Sequence, residues 1–201
     1  MCRTLLTASL LNAWLWSYSK EGFKDFLKVL ERKPTEQNEA MLNGIQFENM
    51  VSRWNKGYRT EVAHPWYNCI KTCAEILSGS QEQVKAYKDY SVDGMDFLLY
   101  GRLDNLKRGI IYDTKFSKNY QYGKYYKCPQ HSLYFETVPE ARKFVYIIAN
   151  GKDVYKEEYR RFDYIPIDMY IRPFVKFLIQ NDLMEIYIEK WKTKGDNYGR
   201  I

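Results

Sequence analysis

The chain has 201 residues, 45% of them apolar and 28% charged, enough to bury roughly 70% of the unfolded chain's surface in an ordinary core. That balance excludes general disorder, a collagen-like repeat and a multi-span membrane protein. Lys and Arg outnumber Asp and Glu by 31 to 25, and the net charge of +6 permits a polyanionic partner without requiring one. The aromatic share of 17%, with 19 Tyr, is the sharper signal, because tyrosines beside lysines serve nucleic-acid surfaces as well as cores.

Leu5 to Trp16 is apolar, but Thr7, Ser9 and Asn12 interrupt it, and it falls short of the about 20 residues that cross a bilayer. Its only basic lead is Arg3 and no A-x-A cleavage site follows, so it reads as a buried first helix rather than a membrane span or signal peptide. From Leu10 to Leu30, Leu11, Trp14, Leu15, Phe23, Phe26, Leu27 and Leu30 recur with a period near 3.6, until Pro34 interrupts. A second helix is expected from Thr35, capped with help from the Thr35 hydroxyl and Asn38, past Met41, Ile45, Phe47 and Val51 toward Trp54. A third is expected over about Tyr67 to Lys85.

The pattern then changes. Met95 to Leu103 and Gly109 to Phe116 are β-rich runs joined by the polar stretch Asn105 to Arg108, which reads as a hairpin. A Lys and Tyr stretch, Ser117 to Lys127, precedes a helix that opens at Pro129. Two more strands, Lys143 to Ala149 and Val154 to Arg161, flank an Asn150-Gly151 turn, and an amphipathic helix occupies about Ile167 to Trp191. The polar tail Lys192 to Ile201 reads as loose. With no repeat and no linker, the order helix, sheet, helix, sheet, helix describes one α/β domain, 1–201, with a helical part at about 1–85, a sheet core at about 86–161 and a last helix at about 167–191.

The four cysteines, Cys2, Cys69, Cys73 and Cys128, contain no C-x-x-C pair, so no zinc ribbon or redox motif is spelled out and reduced thiols are the default. The chemistry lies in the hairpin. Asp104 closes Gly101-Arg102-Leu103-Asp104, and nine residues later comes Asp113-Thr114-Lys115. Strand alternation sets Asp113 and Lys115 on one side and Thr114 on the other. A lysine beside two acids in the apolar company of Ile110, Ile111, Tyr112 and Phe116 is costly to bury unless a cation and a substrate complete the site. Two hard carboxylates and a backbone carbonyl suit Mg²⁺ or Mn²⁺. The same residues also fit a plain Asp–Lys pair on an edge strand. Glu48, in Gly44-Ile45-Gln46-Phe47-Glu48, is an acid among Ile45, Phe47 and Val51 on a helix that can face the sheet, and Gln130 and Tyr134 stand four apart on one helical face.

In order, a helical Glu, G-x-x-D, D-x-K on the next strand and Q-x-x-x-Y on the next helix resemble the core of the PD-(D/E)XK nuclease superfamily, most closely its RecB-like exonuclease branch, over roughly Asn43 to Arg161. The resemblance implies a restriction-endonuclease-like core, a central mixed β-sheet flanked by helices. It implies a Mg²⁺- or Mn²⁺-dependent deoxyribonuclease, exonuclease favoured, that leaves 5′-phosphate and 3′-hydroxyl ends. Asp104 and Asp113 would ligate the metal with the Thr114 carbonyl, and Glu48 would bind it directly or through water. Lys115 would orient the attacking water and offset charge on the scissile phosphate, while Gln130 and Tyr134 would act around the metal ligands or on the nucleic-acid backbone.

Relatives with an iron-sulfur cluster hold it with one cysteine ahead of the core and three beyond the last motif; here none follows Cys128, so no iron-sulfur cluster is expected. The family's usual Pro before the first Asp is replaced by Leu103. In the loop, Lys118, Lys124 and Lys127 interleave with Tyr120, Tyr122, Tyr125 and Tyr126, as expected of a strand-guiding segment in which lysines contact phosphate and tyrosines stack on bases. Lys71, Lys85 and Lys88 form no patch in the sequence, and His64 and His131 read as structural or surface residues. The expected partner is DNA, with no membrane, in the cytoplasm of a bacterial or phage-infected cell and in phage or mobile-element recombination or repair. The rival expectation is a non-catalytic DNA-binding or assembly protein that keeps the nuclease fold.

Overall fold

The computed structural model describes residues 3 to 193. The chain starts on a strand, β1 (Thr4–Thr7), where a first helix was expected. Four residues are too few to show alternation, and the strand exists because Leu5 and Leu6 find Leu98 and Leu99 as parallel partners far along the chain. Thr7 ends it and caps α1 (Ala8–Leu15), its hydroxyl accepting from the Leu10 N–H at 3.2 Å. The run expected as one helix to Leu30 is broken, for Ser19 starts a separate α2 (Lys20–Leu30) by accepting from the Gly22 N–H at 3.0 Å. α3 (Glu39–Asn55) is capped by Asn38, which accepts from the Met41 N–H at 2.9 Å; Thr35 lies ahead of it and takes no part.

α4 (Tyr67–Leu77) stops well short of Lys85 because Gly79 takes a left-handed conformation (φ +73) and β2 (Gln81–Val92) begins. The turns that join β2 to β3 (Met95–Lys107) and β3 to β4 (Ile110–Phe116) have two residues each, Asp93-Gly94 and Arg108-Gly109, all four at positive φ as tight hairpins require. α5 (Pro129–Thr137), β5 (Lys143–Ala149) and β6 (Val154–Arg160) follow the expected pattern. The last helix divides into α6 (Asp168–Gln180) and α7 (Met184–Trp191). At the break Asp182 is left-handed (φ 56), and the Leu183 N–H reaches back to the Leu178 carbonyl at 2.8 Å, a closed C-terminal cap. Of the tail, Lys192 bridges to Thr4 and the Thr193 N–H bonds the Arg3 carbonyl at 3.0 Å; the remainder of the expected loose tail lies outside the described residues.

Six strands form one mixed sheet flanked by helices, an α/β fold. β2 pairs along one whole edge of β3, from Met95 to Leu106, so β1 and β4 share the opposite edge. β5 continues parallel to β4, and β6 closes antiparallel. β5 is buried on both faces, which explains its unbroken apolar run. Phe144, Tyr146 and Ile148 join the core under α1, α2, α5, α6 and α7, while Val145, Ile147 and Ala149 join Phe47, Val51, Ile70 and Cys73 under α3 and α4. Among the described residues no helix is long and apolar enough to cross a membrane.

Candidate active site

β3 is paired to β1 as far as Tyr100 and to β4 only from Asn105 onward. Between these partners Gly101-Arg102-Leu103-Asp104 faces a gap in the sheet, so the G-x-x-D motif is the stretch of β3 with no neighbour on that edge. On its other edge the β2 register skips the position opposite Asp104, where Gln83 stands in a left-handed conformation (φ 56). Asp104 therefore sits where the ribbon is loosened on both sides. Across the gap the last paired residue of β4 is Tyr112, and Asp113 comes next. The two acids meet because the ladder ends just before both of them.

The gap opens into a cavity of about 430 Å³ whose wall includes Glu48 from α3, Asp104 from β3, Asp113 and Lys115 from β4, and Gln130 and Tyr134 from α5. Six residues spread over 87 positions of sequence thus border one space. Alternation holds on β4: Asp113 and Lys115 face this cavity, while Thr114 is buried and lines an adjoining cavity, also about 430 Å³, which shares Glu48, Arg102 and Asp104 with the first.

Asp113 is 1% exposed. Its Oδ1 accepts from the Gln130 amide, and its Oδ2 lies 2.6 Å from Lys115 Nζ in an ion pair without an aligned hydrogen bond. Burial alone lowers the lysine's pKa, but the carboxylates of Asp113 and then Asp104 outweigh it and hold the ammonium above the ordinary lysine value. The acids respond in the opposite sense. Asp104 is pushed up to about 8, by burial first and then by the charges of Asp113 and Glu48, with Lys115 opposing. Glu48 is pushed up to about 6, again by burial first, with Lys115 lowering it and Asp113 raising it. One ammonium does not offset three carboxylates.

The two weaker motifs interlock. A Cβ on Gly101 would stand 2.3 Å from Tyr134 Cε1, so only glycine lets the α5 ring lie on β3. The Tyr134 hydroxyl then donates to the Arg102 carbonyl at 2.9 Å, one of the backbone groups without a strand partner on that edge. The glycine of G-x-x-D and the tyrosine of Q-x-x-x-Y are one contact.

The donor set tests whether a divalent cation fits. Among the described residues no group of three or more His, Cys, Asp or Glu is placed to hold a metal ion by itself. Mg²⁺, however, is usually held by one or two carboxylates with water and substrate phosphate filling the other positions. Asp104 and Asp113, hard oxygen donors close enough that the Asp113 charge raises the Asp104 pKa, meet that requirement.

The Lys and Tyr loop is clasped from below. Glu157 of β6, 1% exposed, accepts from the Tyr120 hydroxyl at 2.7 Å, the Gly123 N–H at 3.2 Å, the Tyr125 N–H at 3.0 Å and the Tyr159 hydroxyl. The expectation that all four loop tyrosines face a strand is corrected for two of them. Tyr120 and Tyr125 pack inward against the core, Tyr125 stacked on Tyr146 at 4.6 Å, because a buried carboxylate draws the loop down. Tyr122 and Tyr126 remain exposed. Lys118 pairs with Glu39 at 3.6 Å, Lys124 donates to the Ser117 hydroxyl at 2.7 Å, and Lys127 is exposed. His64 accepts from the Trp66 N–H at 3.1 Å, and His131 is buried against Tyr146 and Tyr159, both structural settings. Cys69 and Cys73 are buried on the inner face of α4, Cys128 is partly buried, and Cys2 lies outside the described residues.

Sequence reasoning missed Arg102, which borders both cavities, and Glu157. Arg102 was in plain view as the second residue of G-x-x-D. Glu157 gave no signal, being one acid among several charges on β6.

No protein-family model and no curated relative matches the chain. Among solved structures it is similar to the crystal structure of SSO0001, with a TM-score of 0.50 and 14% identity over 89% of this chain and 77% of that one. At that identity the likeness is one of fold.

Proposed function

We infer that this chain is a metal-dependent DNA nuclease of the RecB-like PD-(D/E)XK type, acting on strand ends, with Mg²⁺ or Mn²⁺ as its cofactor. One observation carries the reading: Glu48, Asp104, Asp113 and Lys115, from three separate elements, border one cavity at an interruption of the sheet, with more negative charge than the site itself offsets. When bound, a divalent ion lowers the pKa of its water and stabilises the charge that develops in an in-line displacement at phosphorus. Asp104 and Asp113 would hold it, with the Thr114 carbonyl and Glu48 as further oxygen donors.

The chain's own groups do the rest. Gln130 donates to Asp113 Oδ1 and fixes that carboxylate's orientation. Lys115 is kept protonated by its acid neighbours, so at neutral pH it acts as a charge that orients water and meets the phosphate oxygens, not as a general base. Tyr134 holds β3 in place through the Arg102 carbonyl. Lys127 with the exposed Tyr122 and Tyr126 presents phosphate and base contacts on the loop that follows β4.

The test is cleavage of end-labelled linear DNA beside closed circular DNA, with Mg²⁺, Mn²⁺ or EDTA. Linear DNA shortened from its ends in either metal, circles left intact and no reaction in EDTA are the expected result. Protein that binds DNA and Mn²⁺, with a metal-dependent rise in melting temperature, yet cuts nothing would instead be the non-catalytic DNA-binding protein.

A further inference from the structure

The sheet face that carries Asp104 extends beyond it along β2 and β3. α3 and α4 cover the β4 to β6 side of that face, whereas the β2–β3 ribbon shows it a row of polar and aromatic side chains. Val84 and Ala86 of β2 and Leu99 and Leu103 of β3 point to the opposite core, so by alternation Lys85, Tyr87, Tyr100 and Arg102 share the other face. They form two directly opposed pairs, Lys85 with Arg102 and Tyr87 with Tyr100. At about 3.3 Å per residue, the cationic pair stands about 7 Å and the tyrosine pair about 13 Å along the ribbon from Asp104. Arg102 and Tyr100 themselves line the acid cavity.

Two like charges directly opposed in adjacent strands destabilise a sheet. Lys85 and Arg102 are both exposed, and among the described residues neither has an ion-pair partner, whereas the next acid along the face, Asp89, is paired with Arg3. Tyr87 and Tyr100 are partly exposed and stacked, ring centroids 4.9 Å apart and planes 23° apart. An uncompensated cation pair followed by an aromatic platform, continuous with an acid cavity, matches a phosphate followed by an unpaired base. A duplex keeps its bases stacked inside and has no use for the tyrosines.

We propose that the outer face of the β2–β3 ribbon is a track for single-stranded DNA, with Lys85 and Arg102 on backbone phosphates and Tyr87 and Tyr100 under an unpaired base, leading one strand to the acids. It rests on the nucleic-acid reading above and adds a binding surface distinct from the Ser117–Lys127 loop. The experiment measures affinity for a labelled single-stranded 20-mer and for a blunt duplex, in Ca²⁺ across a salt series, for the wild type, Lys85→Ala, Tyr87→Ala and Tyr87→Leu. Tyr87→Leu keeps apolar bulk should the alanine variant fail to fold, and Lys176→Ala, an exposed cation on α6, controls for net charge.

Tyr87→Ala and Tyr87→Leu should each weaken single-strand binding about tenfold. Lys85→Ala should flatten the single-strand salt slope by about 0.7, with duplex affinity and the Lys176→Ala variant unchanged. An oligonucleotide carrying 5-iodouracil should cross-link to Tyr87 or Tyr100. Unchanged single-strand affinity with cross-links confined to Tyr122 and Tyr126 would overturn the track while leaving the nuclease reading intact. Equal weakening on duplex would make the ribbon a general phosphate surface, and wild type that binds neither DNA would remove both readings.

Discussion

Asp113 on β4 and Glu157 on β6 are equally withdrawn from water, each 1% exposed, and their surroundings are opposite. Glu157 takes two tyrosine hydroxyls and two backbone N–H groups, a saturated acceptor with no second carboxylate among its partners. Asp113 has one amide, one ammonium and two further acids beside it, and burial first, then the neighbouring acid charges, pushes Asp104 up to about 8 and Glu48 up to about 6. A buried carboxylate whose lone pairs are all met by neutral donors holds structure together. One crowded by its own kind is kept at a cost in stability, and such a cost points to a ligand that the site awaits.

The comparison breaks most sharply at Lys115. Lys115→Ala should lower the initial rate on end-labelled linear DNA by about 10²- to 10³-fold while Mn²⁺ still raises the melting temperature, since the ligand carboxylates are intact. Asp113→Ala should lose both responses. Full-rate cutting by Lys115→Ala would place the active centre elsewhere.

Two strands away on the same face of the sheet, Glu157→Ala leaves the Tyr120 and Tyr159 hydroxyls and two backbone N–H groups without an acceptor. We expect a loss of about 3 kcal/mol in urea unfolding and faster tryptic cutting at Lys118, Lys124 and Lys127, with Glu157→Gln milder in both. Unchanged protease resistance would mean that the clasp is idle.

Gly101→Ala forces a methyl into the Tyr134 ring and should cost about 1 to 3 kcal/mol. Because the clash is with that one ring, the cost should shrink in a Tyr134→Ala background, a coupling that a double-mutant cycle reads directly. Additive losses would assign the glycine to backbone conformation instead.

The smallest effect sharpens the clasp side. His131 is enclosed by Tyr146, Tyr159 and Tyr164, and burial lowers its pKa to about 4. The folded state therefore refuses a proton that the unfolded chain accepts near pH 6.5, so this contribution to stability is present above about pH 6.5 and lost as pH falls toward about 4. Between pH 7 and pH 5 that loss is about 2 kcal/mol. His131→Phe should show a correspondingly smaller drop in melting temperature over the same range, and an unaltered drop would point to other groups.

Much of the fold was legible where local chemistry decides it. Asn38 capping α3, Pro129 opening α5, and the strands flanking Asn150-Gly151 all follow from the residues on the spot. The errors fall where the partner is remote. β1 is a strand only because Leu98 and Leu99 lie beside it, and the first residues of β2, as far as Lys85, were absorbed into a helix because Lys88 interrupts the alternation that Val84, Ala86, Tyr90 and Val92 carry.

The same division runs through the site. The sequence by itself determined which residue types are present, that Asp113 and Lys115 share a face with Thr114 opposed, and that Gln130 and Tyr134 stand together, because strand and helix periodicity is a local property. Only the tertiary structure decided that the β3 ladder is interrupted between Tyr100 and Asn105, which opens the cavity. It also decided that Glu48 borders that cavity from another layer, that Gly101 exists for Tyr134, and that Glu157 turns two of the loop's tyrosines inward. Each of these depends on which strand edge finds a partner and on which side chains are denied water. Contacts between residues tens of positions apart settle both, and no window of the sequence contains them.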